Sequence, residues 1–145
     1  MKVNLSEAFD AIDDYWTPRV AADLNGQQVK LAKFKGAFDW HHHDDEDELF
    51  LVHRGRFVME FRDRSVTLEA GEMILVPRGV EHRPVAEEEA EVILFEPATV
   101  LNTGNVVSER TVREPRRLRL DFTRFGSAPN PTDHPASGHS SAASR

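Results

Sequence analysis

The chain has 145 residues, no cysteine, and 25 acidic against 18 basic side chains, for a formal net charge of −7. That length suits one domain with a real core, the acidic balance excludes a general nucleic-acid binder, which needs a basic face, and the lack of cysteine removes disulfides and thiolate chemistry. No apolar run is long enough to span a bilayer and residues 1–10 lack a signal-peptide hydrophobic core, so the expectation is a cytoplasmic protein with neither membrane nor nucleic acid as partner.

In chain order, Asn4 or Ser6 can cap a short helix over residues 6–15, with Leu5, Phe9 and Ile12 on one face. Strands are expected at 19–24 and 27–34, joined by Asn25-Gly26, a dipeptide suited to tight hairpins. Further strands follow at 38–43, 48–53, 56–62, 65–70, 72–76, 80–85 and 90–96, with Pro77-Arg78-Gly79 as one of the turns between them. Glu87-Glu88-Glu89 reads as a solvated loop. Many short strands without an intervening helix imply an all-β sandwich or barrel, and a jelly roll fits best. Beyond residue 98 the pattern weakens. Residues 99–105 are loop-like, and 110–124 interleave arginines with Val112, Leu118, Leu120 and Phe122, which suits apolar packing along the barrel with the arginines paired to carboxylates. The expected layout is one domain over 1–125, with a barrel core at about 19–98 and a C-terminal arm at 99–125. Residues 126–145, rich in Pro, Ser, Ala and Gly, cannot bury enough apolar surface to offset ordering and are expected to form a disordered tail.

The chemistry concentrates between Gly36 and Gly55, GAFDWHHHDDEDELFLVHRG. Side chains alternate in an extended chain, so His41 and His43 point one way and His42 the other. Glu48 follows at the start of an apolar run and completes a two-histidine, one-carboxylate set of the kind found at non-haem iron sites; Asp47 is its understudy. Gly71 to His82, GEMILVPRGVEH, brings a third histidine, His82, toward the same place. His42 and His53 belong to the opposite face. Asp44 to Asp47 lack the glycine-punctuated spacing of a calcium loop and read as a solvated turn.

Together the two stretches resemble the paired signatures of the cupin superfamily. The first runs G-x4-H-x-H-x4-E-x6-G, one residue shorter than usual after its first glycine, and the second runs G-x5-P-x-G-x2-H, with Ala86 where the usual closing Asn would stand. The resemblance implies a double-stranded β-helix barrel with one metal ion held by His41, His43, Glu48 and His82, leaving up to two positions open on a six-coordinate ion. Nitrogen and oxygen donors without sulfur suit Fe, Mn, Ni or Zn. Cupins range over dioxygenases, sugar-phosphate isomerases and epimerases, decarboxylases and non-catalytic binding proteins, and fold does not choose among these.

Alternation places Phe57, Met59 and Phe61 inward, and Phe50 and Val52 on the face of Glu48. Phe50, Phe57, Met59 and Phe61 are therefore expected to form apolar pocket walls, with Arg83 as a substrate-binding candidate and Arg78 beside it. An apolar pocket favours a substrate with carbon surface, hence dioxygenase-type oxidation ahead of sugar or sugar-phosphate isomerisation, with non-catalytic, metal-dependent binding as the competing class. An additional inward-facing lysine, tyrosine or carboxylate would favour catalysis. Leu49 and Leu51 face outward, which calls for a cover, and a homodimer supplies one.

Overall fold

The computed structural model describes residues 1–119; the expected disordered tail at 126–145, and residues 120–125 of the expected arm, lie outside the described residues. The order of elements is α1 (Leu5–Asp10), β1 (Arg19–Leu24), β2 (Gln27–Ala37), β3 (Glu48–Arg54), β4 (Arg56–Phe61), β5 (Ser65–Glu69), β6 (Met73–Val76) and β7 (His82–Pro97). The fold is all-β, a jelly-roll barrel with one short helix. No helix among the described residues is long and apolar enough to cross a membrane.

The long strand β7 organises the barrel. Along one edge it pairs antiparallel with β2 over most of its length. Along the other edge its first residues pair with β4, through His82↔Phe61 and Val85↔Val58, and its last residues pair with β3, through Val92↔Val52 and Phe95↔Leu49. β6 continues the sheet beyond β3, and β5 continues it beyond β4. A single strand can serve two neighbours this way because it carries extra residues midway. Between Phe34↔Ala90 and Gly36↔Ala86 the register advances farther on β7 than on β2, the exposed Glu87, Glu88 and Glu89 standing opposite Lys35 alone. Such a bulge bends and twists a strand, which is how a sheet turns a barrel corner. Glu87–Glu89 is therefore a bulge within one continuous strand, and not the loop between two strands that its charge suggested.

Local chemistry fixes the ends of the elements. Asn4 caps α1 by accepting the Glu7 backbone N–H at 3.0 Å. The helix stops at Asp10, short of the expected residue 15, and Trp16 adopts a positive φ of 59° where the chain turns into the barrel. There Trp16 stacks on Phe34 and Phe38 at centroid distances of 4.4 and 4.9 Å. Asn25 and Gly26 both have positive φ, 51° and 80°, as the hairpin between β1 and β2 requires.

Two apolar clusters result. Inside the barrel, Phe34, Phe50, Val52, Phe57, Met59, Phe61, Leu68, Val76, Val92 and Leu94 pack together. Outside the β1–β2–β7 sheet, α1 lays Phe9 and Ile12 on Ala21 and Leu31, joined by Ile93 and Leu118. Residues 116–118 run beside β1, with Val20 N–H donating to the Arg116 carbonyl and Leu118 N–H to the Val20 carbonyl, both at 2.9 Å, while Arg117 pairs with Asp23 and Arg110 with Asp39.

Candidate metal centre

His41 and His43 lie in the loop between β2 and β3, Glu48 is the first residue of β3, and His82 is the first residue of β7. The expected strand over 38–43 does not form as a strand. Its chain nevertheless runs alongside the start of β7, because His41 and His82 exchange backbone hydrogen bonds at 3.1 and 2.9 Å and Phe38 N–H donates to the Pro84 carbonyl at 3.0 Å. Those bonds hold the segment extended enough to keep the alternation. His41 and His43 are buried, and His42 points outward to Asp44, 2.9 Å away.

One donor atom from each of His41, His43, Glu48 and His82 lies within 4.8 Å of all the others, and the four residues are only 0–4% exposed. Nε2 of His43 and of His82 stand 2.9 and 3.3 Å from Glu48 Oε2. At those distances the atoms are neighbours, yet the directions of approach are wrong for hydrogen bonds, and all three are buried without a partner among the described residues. Burying three polar atoms unsatisfied costs about 1–3 kcal/mol each. A divalent cation between them removes that cost, so the residues fit a metal ion.

The histidines are presented in the correct form. Nδ1 of His41 donates to the Asp39 carbonyl and Nδ1 of His82 to the Val80 carbonyl, each at 2.8 Å. A carbonyl only accepts, so Nδ1 carries the hydrogen and Nε2 of the neutral ring is left with its lone pair toward the centre. Burial, aided by His82, lowers the pKa of His41 to about 4, so this ring is neutral at physiological pH. Burial alone would push the Glu48 carboxyl up, but its surroundings, the His43 ring foremost, hold it well below the ordinary range, as an anion.

Asp47 does not join the cluster; its side chain accepts the Arg78 backbone N–H at 2.8 Å. Arg83 stands on the outer face of β7 in an ion pair with Glu60 at 2.8 Å. His53 is also on an outer face, stacked on Phe9.

A cleft open to solvent adjoins the cluster. Its walls include Trp16, Phe34, Phe38, Phe50 and Leu94, and its polar lining comprises His41, Glu48, Glu96 and Asn102, with no lysine or arginine among the described residues. Of the residues expected as walls, Phe50 lines this cleft; Phe57, Met59 and Phe61 lie in the barrel core. Sequence reasoning missed Glu96. Continuing the β3–β7 register past Leu49↔Phe95 sets Glu96 beside Glu48. Burial and the Glu48 charge push its carboxyl well above the ordinary range, against the pull of Lys30, whose Nζ donates to Glu96 Oε1 at 2.8 Å. A signal existed in the alternation. Lys30 shares its strand face with Ala32 and Phe34, and Glu96 shares its face with Val92 and Leu94, all of them buried.

Comparison with known proteins agrees with this architecture. The cupin domain family profile matches residues 27–97. The chain is 36% identical over 86 residues to the protein YdbB of Bacillus subtilis (strain 168), covering 52% of this chain and 76% of that one. The crystal structure of a cupin-2 domain containing protein from Shewanella frigidimarina superposes with a TM-score of 0.65 at 45% identity, covering 66% of this chain and 93% of the other. Protein NMB1881 from Neisseria meningitidis gives a TM-score of 0.62 at 33% identity, with 68% and 100% covered. With a third or more of the aligned positions shared along three quarters or more of each of these proteins, this chain belongs to the cupin superfamily.

Proposed function

We propose that the protein is a mononuclear-metal enzyme that oxidises an oxygen-bearing small molecule, in the manner of a dioxygenase. The observation that carries this reading is the juxtaposition of three unpartnered ligand atoms with a cleft walled by aromatic and aliphatic side chains. His41, His43, Glu48 and His82 would hold one Fe, Mn, Ni or Zn ion, which supplies Lewis-acid polarisation and, if iron, redox chemistry toward dioxygen. The chain's own contribution is to exclude water with Phe34, Phe38 and Phe50 and to present a carbon surface to the substrate. A sugar phosphate would want lysine or arginine around it, and neither lines the cleft among the described residues. Glu96 supports catalysis over simple binding, because it is a second carboxyl adjoining the ligand carboxylate and the cleft.

Glu48→Gln tests the reading, since it keeps the shape and removes one negative charge. With Fe(II)-loaded protein and a panel of metabolites bearing neighbouring oxygens, oxygen uptake by the wild type should depend on a particular compound. In the variant, uptake should fall by at least tenfold more than metal occupancy does. Absence of uptake and of product with every compound that demonstrably binds would sink the dioxygenase reading and put isomerase, epimerase or non-catalytic binding ahead of it.

The same proposal extends to assembly in a cytoplasmic homodimer. Leu49 and Leu51 of β3, with Phe95 of β7, are only partly covered, and beside them Met73 and Leu75 of the edge strand β6 are 66% and 57% exposed. A second copy is the occupant we favour, because an uncharged patch on a free sheet edge is self-complementary about a two-fold axis. Light scattering at micromolar concentration should give twice the chain mass; a monomer mass would refute the dimer.

A further inference from the structure

Past β7 the chain stays on the barrel. Residues 99–113 fold back over the segment that carries His41, in a strap lying beyond the 27–97 region matched by the family. Asn105 brackets the His42 peptide: its side-chain Oδ1 accepts the His42 N–H at 2.9 Å, and its own N–H donates to the His42 carbonyl at 3.0 Å. Gly104 packs on the same peptide so closely that a Cβ there would lie 2.2 Å from the His42 carbonyl oxygen and 3.1 Å from Cδ2 of the His41 ring. Two further residues grip Asp39. Ser108 Oγ donates to Asp39 Oδ2 at 2.7 Å, and Arg110 donates to Asp39 Oδ1 at 3.3 Å and to the Ala37 carbonyl at 2.9 Å. Asp39 is in turn the residue whose carbonyl accepts the Nδ1–H of His41.

The strap is braced internally. Asn102 spans it by donating to the Arg110 carbonyl and accepting the Val112 N–H, both at 2.8 Å, and the hydroxyls of Thr103 and Thr111 are 2.7 Å apart. The bracing matters because the two histidines with carbonyl-bound Nδ1 atoms are supported differently. His82 opens β7 and is paired with Phe61 of β4. His41 sits in a loop tied to β7 by its own bridge to His82 and by the Phe38 N–H bond to the Pro84 carbonyl, with no strand of its own, so the direction of its ring also depends on what fixes Asp39 and the His42 peptide.

We propose that the 99–113 strap is a positioning element of the metal centre, and that Ser108 and Arg110, acting through Asp39, set the ring direction and tautomer of His41. The inference rests on the metal reading of the cluster. A partner that orients a metal-binding histidine is worth about 10–100-fold in metal affinity.

The test compares wild type with Ser108→Ala, with the double variant Ser108→Ala/Arg110→Ala, with Arg110→Lys, and with Arg117→Ala, which breaks the arm's ion pair to Asp23 away from the centre. Zn(II) affinity is measured by competition with a chelator. The imidazole tautomer of His41 in the metal-free protein is read from ¹⁵N chemical shifts above pH 7. The double variant should bind Zn(II) about 10–100-fold more weakly and show His41 as a mixture of tautomers. Arg110→Lys should keep most of both properties, and Arg117→Ala should change neither. If the double variant does not fold, Ser108→Ala alone, one hydroxyl removed, should move both readouts in the same direction. Unchanged affinity together with an unchanged single tautomer would overturn the proposal. A wild type that binds no Zn(II), yet whose single His41 tautomer is lost in the variant, would overturn the metal reading and leave the positioning of His41 by the strap standing.

Discussion

His82→Ala should strip the protein of its metal. The residue is fully buried, it supplies one of four donors, and its neighbours have no alternative partners for the atoms they turn toward it. Loss of a ligand should cost more than the roughly 100-fold upper range seen when only a ligand's supporting partner is lost. Elemental analysis of freshly purified protein should find one metal per chain in the wild type and almost none in His82→Ala or His43→Ala. His42→Ala and His53→Ala, which change histidines on outer faces, should keep full occupancy. Full occupancy in both ligand variants would mean that the site has been misassigned. The metal-free protein should also show the cluster in its response to acid. Because His41 is lowered to about 4 in the folded chain but titrates near 6.5 when unfolded, the unfolded state binds the extra proton between those values. Stability should therefore fall as pH drops through that window. Metal, which needs His41 neutral, should oppose the fall.

Lys30→Ala should cost about 1–3 kcal/mol of stability, the penalty for leaving the buried Glu96 carboxyl without its hydrogen-bond partner. Lys30 and Glu96 are 2% and 3% exposed and 2.8 Å apart, and the register of β3 on β7 sets Glu48 beside Glu96. Against a total folding stability of about 5–15 kcal/mol, that loss would be plain in a denaturant titration of the metal-free protein. The penalty should also grow with pH. Without Lys30 nothing opposes burial and the Glu48 charge, so the Glu96 carboxyl is raised further in the folded state. A group raised on folding stabilises below its unfolded pKa and loses that contribution as pH rises through the folded value, so the variant should suffer more at pH 8 than at pH 5. Replacing both residues by methionine should restore much of the loss. A Lys30→Ala cost below about 1 kcal/mol, the range of an exposed pair, would show that the pair is not buried in solution.

The parts of this molecule legible in its sequence are those written with a period or a fixed spacing. The two-residue interval from His41 to His43 and the alternation Phe57, Met59, Phe61 survive in the structure, because a strand or an extended loop turns side chains to opposite faces whatever lies around it. Charge misled in two places. Glu87-Glu88-Glu89 reads as an interruption, yet β7 runs through it as a bulge that projects all three carboxylates into water. Lys30 and Glu96 occupy inward positions, but each would be costly there without the other, and nothing local pairs residues 66 apart. The strap left no signal of the periodic kind. Its grip on Asp39 and His42 is made of individual hydrogen bonds from Asn105, Ser108 and Arg110, which follow from where the barrel happens to deliver the chain.

The reach of β7 has a consequence for how the molecule comes into being. Three other strands, β2, β3 and β4, find their main partner in it, so the barrel cannot close until residues 82–97 are available. During synthesis His41, His43 and Glu48 leave the ribosome well before His82, while the β7 edge that joins their strands is still to come. Contacts that join residues so far apart place the chain among slow-folding β topologies, which take about milliseconds to seconds rather than microseconds. The last strand among the described residues also carries the fourth ligand, so the metal-binding set is complete only once the start of β7 has joined the barrel.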